Sequence, residues 1–414
     1  MLERDLLTEQ AYKQTRVDEL VWKHTRSLGL SRKRFLQLVA AGAGTLAGSL
    51  THARLSQPAI AADTVIKSTP PDLFYSYGSN REMRWENLYS RGYLVPNELF
   101  FVRNHTSTPQ IDSTTWRLRV EGSAIKRPTT FSYEDLLALP SVSVTRAIEC
   151  AGNGRHFFEA VQGKKAPGSQ WRLGAIGVAE WTGVPLREVL DRVGVQQTAR
   201  DVMLEGLDEK RVRRPIPITK AMADDTLLVY AMNGQVLPPD HGFPFRALVP
   251  GWPGVANIKW IGRIEVSDQP LFSPWNTEDY VMIGAAYPPQ SPSKGPIVTS
   301  LNVKSAFELA WDAKLLAGAH LLRGRSWSAH GTITKVEVSL DNGKTWQLAR
   351  LRDPNISQAW VRWDINWNAR PGNYNLQARA TDDQGNTQPV SVPFNEKGYL
   401  YGAVISHPVS VSRS

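Results

Sequence analysis

The chain has one cysteine among 414 residues, Cys150. No internal disulfide can form, and no Cys-x-x-Cys-His haem attachment or zinc-finger spacing is encoded. It also lacks any apolar run close to the roughly 20 residues needed to span a bilayer. The formal charge of +9 is not concentrated in a Lys/Arg run of the kind that grips nucleic acid. Residues 1–62 carry nine Lys/Arg and five Asp/Glu, a net of +4, which leaves +5 for the rest. A basic site for a small anion accounts for that remainder, and no nucleic-acid partner is expected. With 42% hydrophobic and 21% charged residues the composition is that of a soluble globular protein, and the length exceeds what one core usually organises.

Residues 1–62 read as an export signal: Ser31-Arg32-Lys33-Arg34-Phe35-Leu36-Gln37 precedes a short Ala/Gly/Leu stretch, and Ala59-Ile60-Ala61 offers a small-residue cleavage site. The segment resembles a twin-arginine signal with Lys33 in the second arginine's place, which predicts a periplasmic or otherwise exported protein. An amphipathic helix or an uncleaved membrane anchor is the other reading. Residues 63–97 are polar and are expected to wrap the surface, with a short helix inside Arg81–Tyr93.

From residue 98 to 287 the pattern is mixed. Trp116 to Val120 alternates like a half-buried strand, Tyr133 to Leu139 reads as a short helix stopped by Pro140, and Pro185 to Val193 as a helix with Leu186, Val189, Leu190 and Val193 on one face. Val202-Met203-Leu204 and Ala247-Leu248-Val249 suit buried strands. Pro288-Pro289-Gln290-Ser291-Pro292 marks a linker. Residues 293–414 then alternate in short strands, and Asn342-Gly343 between two such runs is a strong hairpin signal. This tail predicts an immunoglobulin-like β-sandwich. The fold class is therefore α+β, a mixed α/β domain followed by a sandwich.

Cys150 stands in Arg146-Ala147-Ile148-Glu149-Cys150-Ala151-Gly152-Asn153-Gly154-Arg155. A lone cysteine is commonly a small buried hydrophobe. Here the flanking small residues allow close backbone approach to a bulky ligand, and the neighbouring arginine favours a thiolate.

Cys-Ala-Gly-Asn-Gly-Arg resembles the sulfite oxidase family of molybdenum enzymes. Further segments match in the family's order: Phe101-Val102-Arg103-Asn104-His105, Trp171 ahead of Gly174-Ala175-Ile176, Asp240-His241-Gly242-Phe243-Pro244 with Arg246, Asn257-Ile258-Lys259-Trp260, and Tyr280 after Asp279. The resemblance implies a molybdopterin-binding catalytic domain and a sandwich that mediates homodimerisation. It implies Cys150 as the protein's thiolate ligand to molybdenum, with Arg103 and Arg155 holding a small anionic substrate, Trp171 shaping the pocket floor and Tyr280 presenting its hydroxyl. It also implies molybdopterin contacts from Phe101, Val102, Arg103, Asn104, His105, Cys150, Asp208, His241, Arg246, Asn257, Ile258 and Lys259. Taken singly, the arginines could be structural ion pairs, Trp171 core, Tyr280 a surface residue and His241 a structural histidine.

The implied activity is oxidation of sulfite to sulfate by oxygen-atom transfer, with electrons leaving to an external acceptor such as cytochrome c. Reduction of another oxyanion or a sulfoxide, or a non-catalytic envelope binding protein that has lost the metal, are the alternatives. One departure bears on substrate. Family members of animal and plant type carry an arginine near the C-terminus in a His-Arg-Val context, and the tail here reads Ser406-His407-Pro408-Val409. A less cationic pocket is the expectation, with weaker sulfite binding, His407 as a substitute, or a different oxyanion or sulfur substrate as the alternatives. Gly154 stands where some relatives carry a second arginine, a change whose effect the sequence does not determine.

Overall fold

The computed structural model describes residues 64–89 and 91–413. The export-signal segment lies outside the described residues.

Two five-stranded sheets build the first half. In one, Val142–Glu149, Ile176–Pro185, Leu227–Met232 and Gln235–Val236 run antiparallel in that order, with Arg246–Leu248 also paired to Leu227–Met232. In the other, Thr129–Ser132, Arg117–Glu121, Ile261–Ser267, Asp201–Gly206 and Arg213–Pro217 lie side by side, and only Arg117–Glu121 against Ile261–Ser267 is parallel. The predicted helices form as short pieces. Tyr133–Leu137 starts at a Ser132–Asp135 capping box, and Leu186–Val193 buries its four predicted apolar residues before Gly194 ends it at φ 70°. Strand content dominates, so the first domain is more β-rich than the mixed pattern suggested. Its helices are one to two turns long because tight turns end each apolar periodicity after about two repeats.

The second half is a sandwich of two sheets. Lys304–Phe307, Gly318–Trp327, Trp360–Ala369 and Arg350–Arg352 form one. Ala313–Leu316, His407–Ser412, Gly372–Asp382, Ile333–Ser339 and Gln347–Leu348 form the other. The Asn342-Gly343 hairpin is present, joining Ile333–Ser339 to Gln347–Leu348 with both turn residues at positive φ, 65° and 82°. Val361, Trp363, Ile365 and Trp367 point into the sandwich core. Arg325, Trp327 and Trp360 emerge from the other face of the same sheet and pack on the first domain, where Arg325 and Trp360 donate to the Tyr93 carbonyl.

The described residues of the segment 63–97 do more than wrap the surface. Phe74, Met83, Trp85, Leu88, Tyr93 and Val95 are buried in a core shared with Trp181, Trp327 and Trp360. The stretch looks polar because its buried apolar residues are spaced irregularly between charged ones. The predicted helix in Arg81–Tyr93 is one 3-10 turn, Trp85–Leu88, after the strand Asn80–Met83.

Candidate active site

Cys150 follows the last residue of the strand Val142–Glu149, and its amide donates to Ala175 O at 2.9 Å. The chain then turns tightly, with Asn153 N bonded to Cys150 O and Arg155 N to Gly152 O, both at 2.9 Å. The thiol is buried yet lines two cavities. One holds about 710 Å³ of empty space and the other about 760 Å³, each partly open to solvent. Arg103, Cys150 and Tyr280 are the three residues common to both walls. The thiol therefore sits where two chambers meet.

The first chamber is lined by Phe101, Arg103, Asn104, His105, Asp208, His241, Arg246, Asn257, Ile258 and Lys259, all anticipated from sequence. Its electrostatics are lopsided. Arg246 donates to His241 O at 3.0 Å and Asn257 O at 3.1 Å, while its Nε, though buried, has no partner among the described residues. Burial alone pulls its guanidinium from 12.5 down to about 9. Lys259 donates to Asp240 O at 2.8 Å and to the Asn104 side chain, and burial, with Arg246 beside it, holds its ammonium well below the ordinary lysine range. Among the described residues neither cation has a carboxylate within ion-pair distance. Asp240 is occupied elsewhere, accepting from Ile66 N, Lys67 N and Thr108 Oγ1. Burial also drives His241 well below its ordinary value, so it is neutral, and its buried Nε2 likewise has no partner among the described residues. Burial raises the Asp208 carboxyl, whose Oδ1 accepts from Val212 N at 3.0 Å. Desolvated basic groups with no carboxylate in direct contact are costly, so this chamber is built for an anionic group that would supply one.

In the second chamber Arg155 is fixed by its Nε to Lys397 O at 3.1 Å and its Nη1 to Ser169 O at 2.9 Å. A Cβ on Gly168 would come within 2.9 Å of Nη1, and one on Gly152 within 2.7 Å of Nη2. The guanidinium thus lies in a slot bordered by these glycines, and a side chain at either would push it from its place. Trp171 is both core and wall: it is 1% exposed, meets Tyr77 and Phe101 edge-on, and lines the chamber. Its loop hangs on Glu82, whose Oε1 accepts from Arg172 N at 2.8 Å and Gly174 N at 2.9 Å.

Arg103, His105 and Tyr280 form a directed chain. Arg103 Nη2 lies 3.2 Å from His105 Nδ1, and His105 Nε2 lies 3.2 Å from Tyr280 Oη. A guanidinium only donates, so Nδ1 accepts and the ring proton sits on Nε2. Burial, with Arg103, Lys210 and Lys259 near, lowers the imidazole to about 2, which keeps it neutral and the tautomer fixed. His105 Nε2 then donates to the Tyr280 oxygen, leaving the phenolic proton to point away from His105. Burial raises that phenol above its ordinary value, against the pull of Arg103, so it is protonated at neutral pH. Tyr280 takes φ 55° and stacks on Tyr399 at 5.2 Å and 6°.

Two expectations are corrected. Val102 lines neither chamber: its backbone pairs with Arg81 through two 2.9 Å bonds and its side chain is buried away from the cavities. His407 is no substitute cation, because it lies on the sandwich strand His407–Ser412, donates to or accepts from no cavity group, and bonds Ala310 O at 2.8 Å. The C-terminal region instead enters the site through Lys397 and Tyr399, and Lys397 Nζ pairs with Asp279 at 2.7 Å on the chamber wall. Asn80, Ser169, Asp279, Lys397 and Tyr399 were not anticipated as site residues. Asp279, next to Tyr280, and Ser169, two residues before Trp171, had a signal nearby; Asn80, Lys397 and Tyr399 arrive by long-range packing.

A family described as the oxidoreductase molybdopterin binding domain matches residues 105–275, and one described as the Mo-co oxidoreductase dimerisation domain matches residues 296–409. Chicken sulfite oxidase is 35% identical over 334 residues, which cover 76% of this chain and 72% of that protein. The chain belongs to the sulfite oxidase family. Human mitochondrial sulfite oxidase is 36% identical over 336 residues, 76% of this chain, and the chain spans 61% of that relative's length. A barley nitrate reductase is 30% identical over 81% of this chain and 41% of its own length. The sulfane dehydrogenase SoxCD of Paracoccus pantotrophus superposes with a TM-score of 0.72 at 26% identity, covering 89% of this chain and 97% of that one.

The cofactor this family membership implies is molybdenum carried by molybdopterin, and the first chamber fits it. Molybdopterin bears a phosphate, which would neutralise the buried Arg246 and Lys259 through charge-assisted hydrogen bonds, and polar ring atoms, which would meet His241 Nε2 and Arg246 Nε. Among the described residues no three His, Cys, Asp or Glu side chains cluster as a metal site.

Proposed function

We propose that this family member oxidises sulfite to sulfate and passes the two electrons to a separate carrier such as cytochrome c. The observation that carries the reading is the junction: the Cys150 thiol, Arg103 and Tyr280 stand where the anion-demanding chamber meets a second chamber lined by Arg155. Sulfite plus water yields sulfate, two protons and two electrons. Molybdenum in molybdopterin, when bound at Cys150, supplies the two-electron oxygen-transfer chemistry. Arg103 and Arg155, held in place by carbonyls and, for Arg103, by neutral His105 rather than by carboxylates, keep their charge for the substrate oxyanion. Tyr280 presents its hydroxyl proton at the same junction, oriented by His105. Trp171 and Tyr399 wall the chamber and limit water there.

The likeness to a sulfane dehydrogenase favours a second reading, in which the substrate is sulfane sulfur reaching the thiol through the second chamber. Both readings place the protein as a homodimer joined through the sandwich and exported by the twin-arginine-like segment. The test is molybdenum content together with sulfite-dependent and thiosulfate-dependent reduction of ferricyanide or cytochrome c. One molybdenum per chain with sulfite turnover supports the first reading, turnover with sulfane sulfur alone supports the second, and no molybdenum from a cofactor-competent host refutes both. Arg155→Gln should raise the KM for sulfite on the order of tenfold or more, as expected for losing a charge-assisted contact.

A further inference from the structure

Glu149, the residue before the thiol, is wholly buried, and what satisfies it comes largely from the other domain. Its Oε1 accepts from Lys304 Nζ at 2.7 Å and from Asn153 Nδ2 at 2.9 Å; its Oε2 accepts from Trp327 Nε1 at 2.9 Å. Lys304 Nζ also donates to the Asn153 carbonyl at 3.0 Å. Lys304 and Trp327 stand directly opposite each other on neighbouring strands of the sandwich, so the sheet register delivers both donors to one carboxylate. Asn153 in turn accepts from Ala175 N at 3.1 Å, the residue whose carbonyl holds the Cys150 amide. Further along the loop, Leu400 N donates to Ala151 O at 2.8 Å, and Tyr401 closes on Gly154, where a Cβ would meet it at 3.1 Å.

We infer that Lys304 and Trp327 are positioning residues for the catalytic thiol: the sandwich grips Glu149 and Asn153 and thereby sets the place of Cys150 between the two chambers. The inference rests on the proposed role of Cys150 as the metal's ligand, but its geometry does not. A lysine–glutamate pair with both side chains nearly inaccessible gains little as simple glue, since its desolvation offsets its attraction, whereas it holds one conformation firmly. A metal ligand carried on a strand-to-loop junction needs such a fixed conformation. The sandwich is then part of the active site as well as a second fold unit.

Cys150 is the only cysteine, so alkylation of cofactor-free protein by iodoacetamide at fixed pH reports its position directly. Lys304→Met should raise the alkylation rate on the order of tenfold, and the milder Trp327→Phe by roughly threefold, because each removes a buried donor that keeps the loop closed. Lys335→Met, on an exposed position of the sandwich, serves as control and should leave the rate unchanged. In protein from a cofactor-competent host, Lys304→Met should also retain less molybdenum per chain. If Lys304→Met does not fold, Trp327→Phe decides alone. Alkylation at the control's rate in the folded variants, whatever their melting temperature, would overturn the inference. Absence of molybdenum in the parent protein would count against the proposed function and leave the alkylation result standing.

Discussion

Replacing Arg246 by methionine should stabilise the cofactor-free protein and weaken the loaded one. The guanidinium is 4% exposed, and its fall from 12.5 to about 9 has burial as its sole cause. That fall corresponds to about 5 kcal/mol of charge burial with no opposite charge to offset it. Methionine keeps the length and removes the charge, but it leaves the His241 and Asn257 carbonyls without their donor and ends the contact with the Trp181 ring at 5.2 Å. Those losses return about 3 kcal/mol, so Arg246→Met should gain about 2 kcal/mol without cofactor. The folded-state value lies below the unfolded one, so the penalty is complete below about pH 9 and shrinks only as pH rises through that value towards 12.5; between pH 6 and 8 the gain should be flat. Urea unfolding followed by tryptophan fluorescence, on protein from a host that makes no molybdopterin, measures it. Inorganic phosphate should stabilise the parent and not the variant, and cofactor retention should drop in the variant. A cofactor-free Arg246→Met that is less stable than its parent by several kcal/mol would refute the reasoning, because the arginine would then be a structural tie.

Two other perturbations test the second chamber. Glu82 is buried, and desolvation raises its carboxyl from 4.5 to about 7, so the folded state holds the proton longer than the unfolded chain and the parent loses stability as pH rises between those values; Glu82→Gln should match the parent near pH 4.5 and exceed it by about 3 kcal/mol at pH 8 in urea unfolding, and a difference independent of pH would sink this. Tyr280→Phe should lower kcat on the order of a hundredfold with a smaller change in the KM for sulfite, measured by steady-state kinetics, and an unchanged kcat would remove Tyr280 from proton handling.

Much of the first chamber was legible because its residues cluster in short contiguous segments. Phe101, Arg103, Asn104 and His105 share one stretch, and Asn257, Ile258 and Lys259 another, so the backbone alone delivers several side chains to one wall. Val102 shows the limit of that logic. In extended chain neighbouring side chains face opposite ways, so a residue inside the motif need not touch what the motif binds. His407 shows another: alignment by local pattern placed it near the substrate, whereas strand pairing carries it into the sandwich.

By itself the sequence determined the family, the cysteine in its small-residue loop, the Asn342-Gly343 hairpin and the apolar face of Leu186–Val193. Each depends on residues close together in the chain, where local geometry decides the outcome. Only the tertiary structure decided that the polar-looking segment before Asn97 is core, that Lys397 and Tyr399 enter the substrate side, and that Lys304 meets Glu149 across 155 positions. A buried charge selects its partner by what packing brings within about 3 Å, and no periodicity along the chain encodes that distance.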